Sequence, residues 1–394
     1  MGSDASRPVF HGSSREPFVG VPAASVVPSG NRSAYGPLDG TDGLVFLHEE
    51  AGVQGRRVLG IPDNNRSVIL PEFATTIGGR GYALSVKGVG ARAPLYGSSP
   101  LDFAFKADFG PAPSVDQVRP MAGARLYTSE AWFGESPYGA QGPVPGSYSL
   151  RATELAEGCS INGFHICPVL ELVEIPLDRL PGLSSRYWYR RYSGPYLQEH
   201  RLVPSNVRLY HQSEVTLGQN PAAVLREFGV ATAERMDAFI DAYIASGVGA
   251  LTVFVRTMRP CKWGVEGLDY ENVWLDKDCL VAPDGTLHFA DLEGMEWFVA
   301  GQDRTLEARV REQFNRNLYE VMYGLDALVR EADRMAGRSP TPAERRAALV
   351  PRFEMALAND PFVRCEVSGA GLDFVVRPPP GGEADVPIRV IDLR

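Results

Sequence analysis

Asn272 and Asp291 are the pair on which a chemical reading of this sequence turns: an amide oxygen and a carboxylate, both hard donors suited to a magnesium ion that shares phosphate oxygens. Between them, APDGT reads as a hairpin turn that folds two short strands back and brings the two donors together. Each also has a plainer reading, Asn272 as a turn residue and Asp291 as a helix cap. Glu271, adjacent to Asn272, is the nearest carboxylate able to act as a base. Upstream, a glycine cluster, Gly78, Gly79 and Gly81, precedes a strand ending in Lys87, an arrangement that offers backbone N–H groups and an ammonium to phosphate; such glycines equally mark an ordinary hairpin. Arg186, Arg190, Arg191, Arg201 and Arg208 crowd one stretch, which suits either a phosphate site or a solvated face.

The elements that must position these groups change in character along the chain. Residues 1–42, rich in Gly, Ser and Pro, read as an extended N-terminal arm. From about Gly43 the short apolar runs VFLHEE, RRVLGI and RSVILPEF, broken by Gly, Asn and Asp, give the pattern of an antiparallel meander. Residues 91–149 form a long insertion rich in Gly, Pro and aromatics, which reads either as a contact surface for a protein or peptide or as a self-packed loop. SLRATELAEGCSINGF reads as a helix ending near Gly163, followed by the strand HICPVLELVEI.

Beyond residue 220 the chain reads as helical. PAAVLREFG and AERMDAFIDAYIASG are helices closed by glycine, and the stripe Leu306, Val310, Phe314, Leu318, Met322, Leu325 marks a long amphipathic helix. Thr341 caps a further helix, with Pro342 in its first turn and Glu344 following. VRCEV, LDFVV and IRVIDL then predict a small terminal sheet. The expected fold is α+β, with a β-rich lobe over 43–215 and a helical lobe over 216–394.

Composition narrows the class. A chain of 394 residues with 44% hydrophobic content is long enough to build two lobes. No apolar run approaches the ~20 residues that span a bilayer, and MGSDASRPVF lacks a secretory apolar region, so the expected location is the cytoplasm, without membrane partners. A net charge of −9 disfavours a nucleic-acid partner. Cys159, Cys167, Cys261, Cys279 and Cys365 are scattered, with no zinc spacing and no disulfide framework.

In a layout where a strand lysine reaches phosphate, a helix carboxylate commonly positions it; Glu154 and Glu157 share one helix face, and Glu154 lies at the more suitable distance from the next strand. The order glycine turn, strand lysine, helix, then Asn272 and Asp291 resembles the protein-kinase series, with Gly267 standing where kinases carry the catalytic aspartate. More specifically, the chain resembles the selenoprotein O (SelO, YdiU-type) pseudokinase family. VKGVG with Lys87 is similar to that family's LKGAG, and SLRATELAEG with Arg151 and Glu157 to its SSIREFLCSEA helix. RLVPSNVR, from Arg201 to Arg208, keeps the spacing of R-V-A-P-S-H-I-R. LDYENVWL stands at MNTDNMSI, placing Glu271 and Asn272 at its Asp-Asn pair, and FADLEG stands at FDFGP.

The resemblance covers roughly residues 75–300 and implies a bilobal kinase-like fold. It also implies bound ATP with Mg²⁺ or Mn²⁺ and transfer of AMP to a protein hydroxyl from a flipped nucleotide. Lys87, Arg201, Arg208, Arg151, Gly79 and Gly81 would then hold nucleotide, Asn272 and Asp291 metal, and Glu271, Lys87 and Glu154 would serve catalysis. The insertion 91–149 is longer than the corresponding family region, and PIRVIDLR has no counterpart of the family's C-terminal redox residue. Other readings are phosphotransfer or glutamylation, with Glu271 or Asp269 as base, and a noncatalytic nucleotide-binding scaffold.

Overall fold

Strands buried at nearly every position, on both faces, build the first half of the molecule. The computed structural model describes residues 7–11, 15–36, 38–49, 53–63, 67–89, 143–154, 156–161, 164–176, 195–209, 216–256, 258–260, 278–292, 295–297, 304–358, 363–368, 371–376 and 386–389. The strands are β1 (Glu16–Pro22), β2 (Val26–Val27), β3 (Leu44–His48), β4 (Arg56–Pro62), β5 (Ser67–Ile77) and β6 (Arg80–Lys87), with a short helix α1 (Asn31–Ala34) between β2 and β3. Helix α2 (Pro143–Glu154) follows, then β7 (Ser160–Ile161), β8 (Phe164–His165), β9 (Val169–Glu174) and β10 (Leu197–Val203). Among the described residues, eight of these strands form one antiparallel sheet in the order β2-β9-β10-β6-β5-β4-β1-β3. The molecule is mixed α+β, as the sequence predicts.

Two expectations change here. Residues 16–27 are not part of an arm: β1 lies inside the sheet between β3 and β4, because Phe18, Val19 and Val21 bury on its two faces despite the flanking prolines. The helix expected to run to Gly163 ends at Glu154, since Glu157 N–H donates to the Ser160 carbonyl and Ser160 N–H returns to Glu157, closing a turn that leads into β7. It also begins at Pro143, so residues 143–149 belong to α2 and not to the insertion, the rest of which lies outside the described residues.

The sheet curls until β10 reaches its opposite edge strand. The buried Gln198 amide accepts from Phe46 N–H at 2.9 Å and donates to the Phe46 carbonyl at 2.7 Å, satisfying backbone groups of β3 that would otherwise be orphaned. On β6, Tyr82, Leu84 and Val86 pack into the core of this curled sheet with Phe46, Phe73 and Leu202. Ala83, Ser85 and Lys87, on alternate positions, face the other way.

The second half is helical: α3 (Pro221–Glu227), α4 (Ala233–Arg256), α5 (Arg304–Met335) and α6 (Pro342–Leu357). Between α4 and α5 stand β11 (Met258–Pro260), the hairpin β12 (Cys279–Val281) and β13 (Leu287–Phe289), and β14 (Met295–Trp297); β15 (Val363–Ser368), β16 (Gly371–Val376) and β17 (Val386–Arg389) make the expected terminal sheet. Helix α4 continues through Gly247, where a stop was expected. That glycine serves packing, since a methyl group there would lie 2.8 Å from Val321 Cγ1 on α5. The Thr341 cap is present, its hydroxyl accepting from Glu344 N–H at 3.3 Å while Thr341 N–H donates to Glu344 at 2.7 Å. Among the described residues, no helix is long and apolar enough to cross a membrane, and Cys159, Cys167 and Cys279 are buried free thiols.

The β12–β13 hairpin is tied to the β5–β6 hairpin by one ion pair. Arg80 Nε donates to Asp284 Oδ2 at 2.9 Å, and Asp284 Oδ1 in turn accepts from Thr286 N–H and Oγ1. Burial pushes the Asp284 carboxyl up, but the Thr286 bonds and the Arg80 charge outweigh it and hold the pKa below the usual value. The carboxylate therefore stabilises the fold above about pH 4, its ordinary titration range, and that contribution is lost as pH falls through the lower folded value. Asp284→Asn should lower the urea midpoint at pH 7, with the gap to wild type closing below pH 4. A gap of constant size from pH 7 to pH 3 would show that charge at this position is irrelevant.

Candidate functional site

Register assembles the site. β6 pairs β10 with Lys87 opposite Glu199 and Ser85 opposite Arg201, and pairs β5 with Lys87 opposite Ser67. Because strand side chains alternate with period two, Ser67, Lys87 and Glu199 form one row on a single face and Ser85 with Arg201 the next. The following row is apolar: Ala83 and Val203 pack with Ile69, Cys167, Leu280 and Ala290. Lys87, Glu199 and Arg201 are only 3%, 1% and 3% exposed.

The segment after β13 lies across this face. Cys167 N–H donates to the Phe289 carbonyl at 2.8 Å, and Ala290 N–H donates to the Asp278 carbonyl at 2.7 Å. Arg201 Nη1 donates to the Ala290 carbonyl at 2.6 Å, fixing the backbone immediately before Asp291. Lys87 Nζ then meets Asp291 Oδ1 at 3.2 Å, and the Asp291 side chain remains 28% exposed. The structure brings Lys87, Arg201 and Asp291, which the sequence reading joined in one site, into one cluster.

Charge within the cluster is balanced. Lys87 pairs with Asp291, Arg201 with Glu199 at 3.4 Å, and Arg208 with Asp63 at 3.4 Å. Burial alone would lower the Arg201 pKa; the Glu199, Asp291 and Asp63 carboxylates around it outweigh that and raise it. Arg201 and Arg208, which the resemblance assigns to the nucleotide, are both buried, and their guanidinium groups already hold protein partners. Arg208 also lies where the chain joins β12, its carbonyl accepting from Leu217 N–H at 2.9 Å while Val281 N–H donates to Val207 at 2.7 Å.

The remaining expected residues separate into distinct places. Glu154 and Arg151 are exposed on α2, and Glu157 is exposed in the following turn, so the structure does not bring the helix carboxylates to the buried Lys87. Gly79 lies with Gly78 in the two-residue turn of the β5–β6 hairpin, both at positive φ, +81° and +57°, and Gly81 pairs with Thr76 beside it. Lys87 closes β6 at the other end, roughly 20 Å away at about 3.3 Å per residue, so one phosphate group cannot meet both. These glycines shape a hairpin whose next residue, Arg80, holds Asp284. Glu271, Asn272 and Asp269, and with them Arg186, Arg190 and Arg191, lie outside the described residues.

Whether the cluster suits a magnesium nucleotide can be judged from its donors. Among the described residues, the buried Ser67 Oγ, Ser85 Oγ and Arg201 Nε find no hydrogen-bond partner, and buried polar groups left open ask for an explanation. Hydroxyl and guanidinium donors beside an ammonium fit anionic oxygens. Asp291 is a hard, partly exposed carboxylate of the kind magnesium takes. The described residues include no group of three His, Cys, Asp or Glu able to hold a metal. A magnesium ion would thus rely on Asp291, the nucleotide and water, with Asn272 as the further protein donor that sequence suggests. The donor set fits that role.

Sequence reasoning missed Ser67, Ser85, Asp63 and Glu199. One signal pointed toward Glu199, and another singled out Lys87. Gln198, Glu199, His200 and Arg201 are consecutive polar residues in a strand that is buried throughout, a pattern that demands charge pairing on both faces. Lysine is also scarce: Lys87, Lys106, Lys262 and Lys277 are the only lysines among 39 Lys and Arg. No protein-family model, curated protein or solved structure matches the chain.

Proposed function

We propose that this chain is a kinase-like, SelO-type nucleotide-binding transferase that passes AMP from ATP to a protein hydroxyl. The observation that carries the reading is the 3.2 Å contact between a strand lysine, Lys87, and Asp291, which follows the β12–β13 hairpin. The order of elements supports it: a lysine strand, a helix, two strands of the same sheet, helices, then a short hairpin ending at the aspartate. A β-rich first half and a mainly helical second half, both contributing residues to this cluster, support the bilobal arrangement the resemblance implies.

In this reading Lys87 donates to phosphate oxygens, and Arg201 holds the Ala290 carbonyl while turning its open Nε toward the same anion. Asp291, a hard and partly exposed carboxylate, would hold the cation. Magnesium, when bound, supplies neutralisation of phosphate charge. The acceptor hydroxyl oxygen bonds to the α-phosphorus as the bond to the β-phosphate oxygen breaks. Pyrophosphate leaves, and the hydroxyl proton passes to a base, for which Glu271 is the sequence candidate. Pre-placed cations would speed this transfer because they stabilise charge growing on the leaving oxygens without reorganising.

Phosphotransfer is the second reading, which the ion pairs already formed by Arg201 and Arg208 keep open. ATP labelled at either the α- or the γ-phosphate separates the two. Retention of α-label on protein, lost in Lys87→Met, is the expected result. Retention of γ-label would replace AMP transfer with phosphotransfer, and nucleotide binding without either label would leave a scaffold.

A further inference from the structure

We propose that Glu199, on the strand beside Lys87, is the positioning carboxylate that holds the nucleotide lysine, in the role first assigned to a helix glutamate. The proposal rests on the nucleotide-binding reading of the site. Its first support is register: Glu199 is the direct cross-strand partner of Lys87 in the β10–β6 ladder. Opposed residues on one face have Cβ atoms about 4.5–5.5 Å apart, within easy reach of a glutamate and a lysine. Both side chains are buried, so neither can be screened by water. The helix carboxylates Glu154 and Glu157 face solvent instead.

Glu199 also reaches Arg201 at 3.4 Å, so one carboxylate lies between the two cations of the strand face. Its importance grows when ligand arrives. Lys87 contacts Asp291 in the structure; with Asp291 turned to a cation, a carboxylate directly across the ladder keeps the buried ammonium charged and aimed. Glu199 stands opposite it, and Asp63 is committed to Arg208. The lysine is thereby held by the sheet itself. Where the partner sits on a helix, movement of that helix can switch the site off; a partner fixed in the adjacent strand removes that switch, and α2 is free to serve another purpose.

A double-mutant cycle tests this with Lys87→Met, Glu199→Gln and the combined variant, read by urea unfolding and by Mg-ATP calorimetry on the full chain. The expected result is strong coupling in both readouts. The combined variant should unfold near the midpoint of the worse single variant, and Glu199→Gln should weaken Mg-ATP binding about tenfold in the wild-type background yet have no further effect on Lys87→Met. Glu199→Asp should recover part of the lost affinity. The same cycle with Glu154→Gln should be additive. Additive losses for Glu199 in unfolding would overturn the pairing whatever the nucleotide does. Coupling in unfolding with no Mg-ATP binding by wild type would uphold the pair and overturn the nucleotide reading instead.

Discussion

Asp291→Ala is expected to reduce Mg-ATP affinity by more than about 100-fold in calorimetry, the largest loss of any single change at the site. Removing even an outer partner of a metal-bound group typically costs 10–100-fold in metal affinity, and Asp291 is the hard carboxylate beside Lys87 in the described cluster. Two losses combine: the cation loses a ligand, and Lys87, only 3% exposed, loses its 3.2 Å partner. Asp291→Asn separates them. The amide oxygen still accepts from Lys87 but carries no charge for magnesium, so binding should become insensitive to magnesium while the fold is kept. Wild-type affinity in Asp291→Ala, with an intact unfolding transition, would remove Asp291 from the site and the nucleotide reading with it.

What sequence could and could not reveal follows from range. The β12–β13 hairpin was legible because Pro-Asp-Gly fixes a turn within a few residues, and the α6 start because Thr341 and Glu344 satisfy each other locally. The joining of Lys87 to Asp291 was legible only through the order of motifs. The placing of Glu199 opposite Lys87 was not legible, because it depends on the register of β10 against β6, and a shift of one residue would have turned Glu199 to the other face. The same limit explains the glycine cluster: glycines beside a lysine strand look alike whether the turn lies next to the lysine or a full strand length away. Residues 16–22 illustrate the reverse error. Gly, Ser and Pro around them suggested an arm, whereas Phe18, Val19 and Val21 had enough apolar surface to place β1 inside the sheet.

Gly285→Ala is expected to be the most destabilising small substitution in the hairpin that delivers Asp291. Gly285 has φ +93°, a conformation that L side chains rarely adopt, and a Cβ there would lie 2.4 Å from the Phe239 carbonyl oxygen and 3.1 Å from its carbonyl carbon. Those atoms belong to the backbone of α4, with the Phe239 side chain buried in the helical core, so they cannot swing aside. Strain at such a position costs about 1–3 kcal/mol and overpacking about 1–3 kcal/mol more, a large part of the 5–15 kcal/mol that holds a typical domain together. Gly78→Ala isolates the first contribution, since Gly78 also has positive φ, +57°, but nothing lies within 4 Å of its added Cβ. Urea unfolding should therefore rank the variants wild type, Gly78→Ala, Gly285→Ala in falling stability. Because β13 leads directly into Ala290 and Asp291, whose backbone Arg201 holds, Gly285→Ala should also weaken Mg-ATP binding at temperatures where it remains folded, while Gly78→Ala leaves binding intact. Equal destabilisation by the two variants would mean that the hairpin tip can move away from α4, and the rigid delivery of Asp291 to Lys87 would have to come from Arg201 alone.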